Sequence, residues 1–417
     1  MTDLESLLDA YSELIVRVGL NVRAGQRVLI IGPLATGGVS LEAAPLVRKI
    51  AARAYEAGAP LVEAIWGDEA LQMTRFRRAP RDSFSLASAW LPAALADHVD
   101  QGHAVLSIYA NDPDQLSRED PQLISAVQQA TARAVREFRE RISRNETNWS
   151  VAAAAVPSWA TRVFPGVDPA AANTRLWDAI ARLCRLDQHD PVSAWRAHLE
   201  QLANRRDRLN RSRYHALRYR GAGTDLTIGL ADGHTWVSGQ STSRNGILFA
   251  PNIPTEEVFT MPHKNRVDGV VRASRPLSYG GSVIEDFSVR FEGGRAVEVH
   301  AAKGDAVLKE LIATDEGAAR LGEIALVPHG SPVSRSGLLF YNTLFDENAA
   351  SHVALGAAYR FTVANGESMN DERFSDVGGN RSAIHVDFMI GSADLDVDGV
   401  ASDGSAEPLM RKGEWVS

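Results

Sequence analysis

The pattern of apolar residues changes near residue 214 of this 417-residue chain, and the change restricts the chain to a mixed fold. Before that point, β-branched runs such as "GQRVLIIGP" alternate with amphipathic stretches such as "VSLEAAPLVRKIAARAYEAGA". Strands that alternate with helices predict βαβ units on a parallel sheet. From about residue 128 to residue 209 the pattern is mainly helical.

After residue 214, apolar and polar residues alternate and are interrupted by Gly and Asp-Gly turns, as in "HVDFMIGSADLDVDGV". This alternation is typical of antiparallel strands. We therefore predict two domains. Residues 1–213 form an α/β domain with a helical extension, and residues 214–417 form a β-rich, α+β and barrel-like domain.

Composition excludes several classes of protein. A net charge of -8 and a pI near 5.8 provide no basic surface for nucleic acid or an anionic membrane. The single cysteine, Cys184, excludes an intrachain disulfide and a cysteine-rich zinc site. The start of the chain lacks the pattern of a secretory signal, and no stretch approaches the ~20 apolar residues of a spanning helix. We expect a cytoplasmic protein without membrane or nucleic-acid partners.

Acidic residues and histidines occur within apolar segments of the β-rich half. In "PNIPTEEVFTMPHK", only one of Glu256 and Glu257 can face a given site, because neighbours on a strand point to opposite faces. In "TDEGAARLGEIALVP", Glu323 begins an apolar strand. In "GNRSAIHVDFMIG", His385 and Asp387 lie two residues apart and share one face of a strand.

A further segment, "FDENAASHVALGAAY", combines acids with a histidine and a tyrosine. We predict a helix from Glu347 to Tyr359, which places His352 and Tyr359 two turns apart on one face. Gly356 lies between them and leaves space for a metal or a substrate. Asp346 is the expected N-cap of this helix, so that Glu347 is free to point at a metal site.

Each of these residues alone fits a simpler interpretation. A Glu pair on a strand is usually a solvated edge, a Glu before a strand is usually a cap or surface residue, and a single buried histidine is usually hydrogen-bonded core. Buried carboxylates are nevertheless costly unless they are paired or bind metal. Several acids and two histidines in one apolar context therefore favour a metal site. His263 and His329 could line a substrate path, although structural or surface roles are commoner.

Long segments of the chain resemble the thermophilic metalloaminopeptidases, the aminopeptidase T and aminopeptidase S group, over nearly the whole length. They include "LRYRGAGTDLTIGL", "NIPTEEVFTMPHK", "FYNTLFDENAASHVALG" and "NRSAIHVDFMIGS". The resemblance implies a dinuclear metal site, and it selects Glu257 from the pair of glutamates. The implied ligands are Glu257, Glu323, His352, His385 and Asp387.

The resemblance also implies an activity: release of N-terminal amino acids from small peptides that have a free N-terminus. Glu347 corresponds to a general base or a further ligand, and Tyr359 to the tyrosine beside the metals. Ligands of this type suit zinc, cobalt or manganese, two ions per chain. A homodimer is implied as well.

Two other functions are compatible with a chain of this type. One is a ring-cleaving dioxygenase on the same fold that uses a single iron, and the other is a peptide-binding scaffold without a competent site. Counting bound metal distinguishes the three, because a peptidase holds two ions, a dioxygenase holds one iron and a scaffold holds none.

Overall fold

The computed structural model describes residues 3–34, 37–279 and 282–416. The chain divides into two compact units, Met1–Leu199 with Gln240–Pro254, and Glu200–Gly239 with Thr255–Ser417. This division differs from the predicted boundary after residue 213 in two places. The boundary falls inside one continuous helix, where the sequence shows no break. The segment 240–254 belongs to the first unit, because backbone N–H groups of Ala250 and Ile253 bond to Val18, Gly19 and Val151.

The first part of the chain alternates helices with short strands. In chain order its elements are α1 (Leu4–Leu14), β1 (Val28–Ile31), β2 (Val39–Ser40), α2 (Ala44–Glu56), β3 (Val62–Ala64), β4 (Trp66–Gly67), α3 (Glu69–Arg78), α4 (Trp90–Asp100), β5 (Ala104–Tyr109), α5 (Pro121–Ala134), α6 (Arg136–Ser143), β6 (Trp149–Ala153), α7 (Pro157–Val163), α8 (Pro169–Leu183) and α9 (Pro191–Ser212). Four of the strands form a parallel sheet in the order β3-β1-β5-β6. Its central strand β1 is apolar and fully buried, as expected for a parallel sheet that is covered on both faces.

The rest of the chain is mostly strand. Its elements are β7 (Ala216–Gly221), β8 (Thr224–Leu230), β9 (Val237–Ser238), β10 (Ser241–Thr242), β11 (Leu248–Phe249), β12 (Val258–Thr260), β13 (Pro262–Arg272), β14 (Leu277–Tyr279), β15 (Ser282–Glu292), β16 (Arg295–Lys303), α10 (Asp305–Ile312), β17 (Leu321–Leu326), α11 (Pro332–Ser336), α12 (Thr343–Asp346), β18 (His352–Gly356), α13 (Asp371–Asp376), β19 (His385–Met389), β20 (Asp396–Val400), β21 (Ala406–Arg411) and β22 (Glu414–Trp415). The strands β10 and β11 belong to the first unit.

Two antiparallel sheets make up the second unit. The larger has nine strands in the order β14-β15-β13-β8-β7-β20-β21-β22, with β16 beside β15, and the smaller has five in the order β19-β18-β17-β12-β9. Among the residues that the structure describes, no strand pairing closes either sheet, so the barrel-like part of the predicted fold is not confirmed. The mixed helix and sheet content is confirmed. In the same described part of the chain, no helix is both long and apolar enough to cross a membrane.

The predicted helix from Glu347 to Tyr359 is wrong. Residues His352–Gly356 form strand β18, which is fully buried and pairs with β17 on one side and β19 on the other. A short apolar run buried on both sides has no periodicity that separates a strand from a helix, and here the sheet pairing decides. The predicted helical face shared by His352 and Tyr359 therefore does not exist.

The predicted cap role of Asp346 is also wrong. Asp346 ends the short helix α12, and its carboxylate accepts hydrogen bonds from the backbone N–H groups of Phe340 (2.8 Å) and Asn342 (3.0 Å). The residue thus fastens the loop that precedes α12. It does not cap a following helix.

Gly356 is required by the backbone, and it does not leave space for a metal as predicted. Its φ is +105°, and a Cβ atom there would lie 2.1 Å from the carbonyl oxygen of Ile384. We expect Gly356→Ala to lower the free energy of unfolding by about 3 kcal/mol, because strain in φ adds to a backbone clash. Denaturant unfolding measures this loss.

A matched variant separates the two causes of that loss. Gly404 has a φ of +84°, and a Cβ atom there would meet nothing within 4 Å. Gly404→Ala should therefore cost only about 1 kcal/mol, the cost of left-handed backbone alone. Equal losses for the two variants would contradict a clash at Gly356.

Candidate metal centre

The five predicted ligands lie on one face of the five-stranded sheet, and strand register explains why. Glu323 on β17 and Asp387 on β19 are both paired opposite Ala354 on the central strand β18. Residues directly opposite each other on antiparallel strands point to the same face. His352 lies two residues before Ala354 and shares that face, since side chains alternate along a strand. His385 lies two residues before Asp387 and does the same.

Glu257 lies on this face, whereas Glu256 does not. Phe259 pairs with Ala325, which in turn pairs with His352, so Phe259 points to the face of the cluster. Glu257 precedes Phe259 by two residues and shares its direction. The sequence alone left this choice open. The other glutamate, Glu256, is buried, and its backbone N–H donates to Asn348 Oδ1 at 2.7 Å.

The ligand atoms form two groups that share Glu323. His352 Nε2 lies 3.3 Å from Glu257 Oε2 and 3.8 Å from Glu323 Oε1. His385 Nε2 lies 3.6 Å from Glu323 Oε2 and 3.5 Å from Asp387 Oδ1. Within each group the ligand atoms lie within 4.8 Å of one another. One carboxylate thus directs one oxygen to each group, an arrangement suited to two neighbouring cations.

Both histidines present an unprotonated nitrogen to the cluster when they are neutral. His352 Nδ1 lies 3.0 Å from the carbonyl oxygen of Ala350, and His385 Nδ1 lies 2.7 Å from that of Ala357. A carbonyl oxygen only accepts, so each Nδ1 carries the hydrogen and each Nε2 retains its lone pair. This is the usual arrangement of histidines that bind metal. In the described part of the chain, the buried Oδ1 of Asp387 accepts no hydrogen bond, which also fits a cation ligand.

The carboxyl and imidazole groups of the cluster shift one another's pKa values. Burial raises the pKa of Glu323. Burial alone would lower the pKa of His385, but Asp387 and Glu323 outweigh it and raise the value to about 9. For His352, Glu257 and Glu323 likewise outweigh burial, so its pKa is well above the usual value. Burial opposes ionisation of Asp387, yet the neighbouring His385 lowers its pKa. The cluster therefore attracts positive charge, whether protons or metal cations.

Glu347 lies beside the cluster, in the turn Glu347–Ala349 that follows α12. Burial, followed by the charges of Glu257 and Asp387, raises its pKa well above the usual value. Asn348 holds the turn, because its side-chain amide donates to the carbonyl oxygen of Leu344 at 2.9 Å. The charges of Glu257, Asp387 and His352 act on Glu347, so its carboxyl group lies near the cluster, and the element that carries it is a turn instead of the predicted helix.

Tyr359 lies three residues beyond β18 and covers one side of the cluster. Its ring centroid lies 4.7 Å from that of His385, and 39% of the residue is exposed. Its hydroxyl end is surrounded by protein, and this burial, with the charges of Glu323 and Asp387, raises the pKa of the phenol well above its usual value. The phenol therefore keeps its hydrogen and is suited to donate it.

The two other histidines near these segments have no place in the cluster. His263 is buried, and its Nδ1 accepts a hydrogen bond from the backbone N–H of Asn265 at 3.1 Å. His329 is exposed, and its backbone N–H bonds to the carbonyl oxygen of Gly413. Neither ring belongs to the two groups of ligand atoms.

Three neighbours of the cluster were missed in the sequence. Phe259 could have been found, since it lies two residues after Glu257 on the same strand. Asn348 and Phe361 lie in single 3-10 turns, Glu347–Ala349 and Arg360–Thr362, which are too short for any periodicity to indicate the direction of a side chain. Phe361 stacks on Tyr359 with ring centroids 5.2 Å apart.

A model of the family described as thermophilic metalloprotease (M29) matches residues 4–415. The chain belongs to this family. It is 48% identical over 412 residues to Aminopeptidase 2 of Geobacillus stearothermophilus, covering 99% of this chain and 98% of the relative. It is 47% identical over 409 residues to Aminopeptidase T of Thermus thermophilus, covering 98% of each chain. The solved structure of wild-type AmpT from Thermus thermophilus matches over 100% of both chains, with a TM-score of 0.93 and 45% identity.

The family match confirms the predicted resemblance to the thermophilic metallopeptidases. A metalloprotease family also implies a divalent metal cofactor. The ring-cleaving dioxygenase considered as an alternative is not favoured.

Proposed function

We propose that this chain is a metal-dependent aminopeptidase that releases the N-terminal residue from small peptides with a free N-terminus. Two divalent ions would be held by Glu257, Glu323, His352, His385 and Asp387. One observation carries the proposal: two groups of ligand atoms share Glu323, and each includes a histidine whose Nε2 faces the group and has a lone pair once the ring is neutral. Membership of a metalloprotease family and similarity to proteins named aminopeptidases support it.

The donor set fits divalent cations of intermediate hardness. Carboxylate and imidazole donors without a thiolate suit zinc, cobalt or manganese. Such ions, when bound, supply a water of lowered pKa and polarise the scissile carbonyl group.

Two residues of the chain would then move protons. Glu347 would take a proton from the attacking water as general base and then pass it to the nitrogen of the departing amine. Burial, followed by the charges of neighbouring carboxylates, raises the pKa of Glu347, and nearby cations would lower it into the range that a base requires. Tyr359 would donate a hydrogen bond to the carbonyl oxygen or to the departing amine, since its phenol keeps its proton.

Metal counting combined with a release assay tests the proposal. The metal-free protein is loaded with zinc, cobalt or manganese, the bound ions are counted per chain, and the release of amino acids from chromogenic substrates is measured. We expect two ions per chain and cleavage of free but not N-acetylated substrates. One iron with ring-cleaving activity would instead support a dioxygenase, and no bound ion would support a scaffold.

Metal binding should weaken as the pH falls. The pKa of His385 is raised to about 9 in the metal-free protein, so a proton occupies Nε2 below that pH. A cation must displace this proton, and its affinity should rise with pH up to about 9. Calorimetry in two buffers of different ionisation enthalpy measures the protons released per ion. An affinity that stays constant between pH 6 and 9 would contradict this assignment of His385.

We also propose that the protein is a cytoplasmic homodimer, as the family resemblance implies. Light scattering of the metal-loaded protein measures the mass, and a monomer would contradict the assembly.

A further inference from the structure

Three aromatic rings form a continuous row beside the ligand cluster. We refer to Phe259, Phe361 and Tyr359 as the aromatic row. Tyr359 and Phe361 are stacked, with an interplanar angle of 15°, and Phe361 meets Phe259 edge-on with ring centroids 6.1 Å apart. At its other end the row contacts His385 through Tyr359, at 4.7 Å between ring centroids. Phe259, at the other end of the row, lies two residues after Glu257 and points to the same face of the sheet.

The rings of the row are only partly buried. Phe259 and Phe361 are half-buried, and Tyr359 is 39% exposed. By contrast, eight other large aromatic residues of this unit are fully buried: Tyr219, Trp236, Phe287, Phe291, Phe340, Phe345, Phe374 and Phe388. Contiguous aromatic surface left in water is unfavourable, and it commonly marks the place where a ligand binds. Beside a polar cluster, such a surface has the usual composition of a substrate pocket.

We propose that the aromatic row is the subsite for the side chain of the substrate's N-terminal residue, and that it selects large apolar or aromatic side chains. This inference rests on the proposed aminopeptidase function. The side chain of the N-terminal residue starts two bonds from the scissile carbonyl carbon, and that of the following residue starts three bonds away. The nearer side chain is the one that reaches rings in contact with a metal-ligand candidate, His385.

The row offers two ways to recognise such a side chain. Ring faces and edges give stacked or edge-on contacts with an aromatic substrate. They also remove aliphatic surface from water. In an apolar subsite, one methylene group more or less on the substrate changes kcat/KM by roughly 10- to 200-fold.

Variants of Phe361 test the subsite without changing a proposed ligand or proton donor. For the wild-type protein, kcat/KM should be at least 10-fold higher for L-phenylalanyl than for glycyl aminocoumarin substrates. Phe361→Ala should lower this ratio about 10-fold, and Phe361→Leu, which preserves apolar bulk, should lower it less. Tyr279→Ala is the matched control, because Tyr279 is a half-buried aromatic residue on β14 of the other sheet, and its ratio should equal that of the wild type.

Two results would overturn the subsite in an active enzyme. One is a ratio that Phe361→Ala leaves unchanged, and the other is a preference that follows the second residue when alanyl-phenylalanine and alanyl-glycine are compared. Calorimetry with the free amino acids provides a readout that needs no turnover. L-phenylalanine should bind the wild type at least 10-fold more tightly than glycine, and Phe361→Ala should remove this difference. An inactive wild type that retains the binding preference would overturn the proposed function and leave the subsite supported. An inactive wild type without the preference would overturn both.

Discussion

His385→Ala is expected to reduce aminopeptidase activity by ~10³-fold or more and to lower the metal content from two ions per chain to about one. The variant removes an imidazole from only one of the two groups of ligand atoms, the group with Glu323 and Asp387. Metal ions contribute several kcal/mol of transition-state stabilisation, and each 1.36 kcal/mol corresponds to a factor of ten in rate. Elemental analysis of the loaded protein and a release assay measure the two effects.

The fold should survive this change. His385 is the first residue of β19, and the variant retains the backbone pairing with Gly356 on β18. Circular dichroism and light scattering should therefore report a folded protein with the mass of the wild type. The exposed His329 provides the matched control, since His329→Ala should retain both ions and full activity. Full activity of His385→Ala would rule out the proposed ligand set.

Glu347→Gln should lower kcat by ~10²–10⁴-fold, the usual contribution of a general base, while both ions stay bound. The amide has the size of the carboxylate but cannot accept the proton of the attacking water. Because Glu347 would act in the transition state, we expect little change in KM. The pH profile should change as well, because the limb that reports the base is lost.

The same variant distinguishes the two roles considered for Glu347. Loss of one ion from Glu347→Gln would show that the carboxylate is a ligand and contradict its role as the base. Glu407 is exposed on β21, and Glu407→Gln is the control that should change neither metal content nor kcat.

The alternation of helices and strands in the first part of the chain could be predicted from the sequence, because parallel strands are short apolar runs between amphipathic helices. The antiparallel strands of the second part could be predicted from their period of two and their glycine turns. The position where the units separate could not, because α9 passes through it without a change of pattern.

The residues of the candidate site could be predicted as a set, and their geometry could not. Acids and histidines within apolar segments indicated which side chains are costly to bury. Whether "HVALG" is a strand or a helix depends on its pairing with β17 and β19, and these partners lie far away in the sequence. The choice between Glu256 and Glu257 depends on the register of β12 against β17. Register between distant strands is a tertiary property that no local pattern contains.

The shared carboxylate of Glu323 links cation capture to folding. Its partners come from distant parts of the sequence, with Glu257 and His352 in one group and His385 and Asp387 in the other. They meet only when β12, β17, β18 and β19 are paired. An unfolded chain lacks both groups of ligand atoms, so every ion that binds shifts the equilibrium toward the native state. At a free concentration one hundred times Kd, each ion adds about 2.7 kcal/mol to the free energy of unfolding. Chelators would thus act on this protein as denaturants as well as inhibitors.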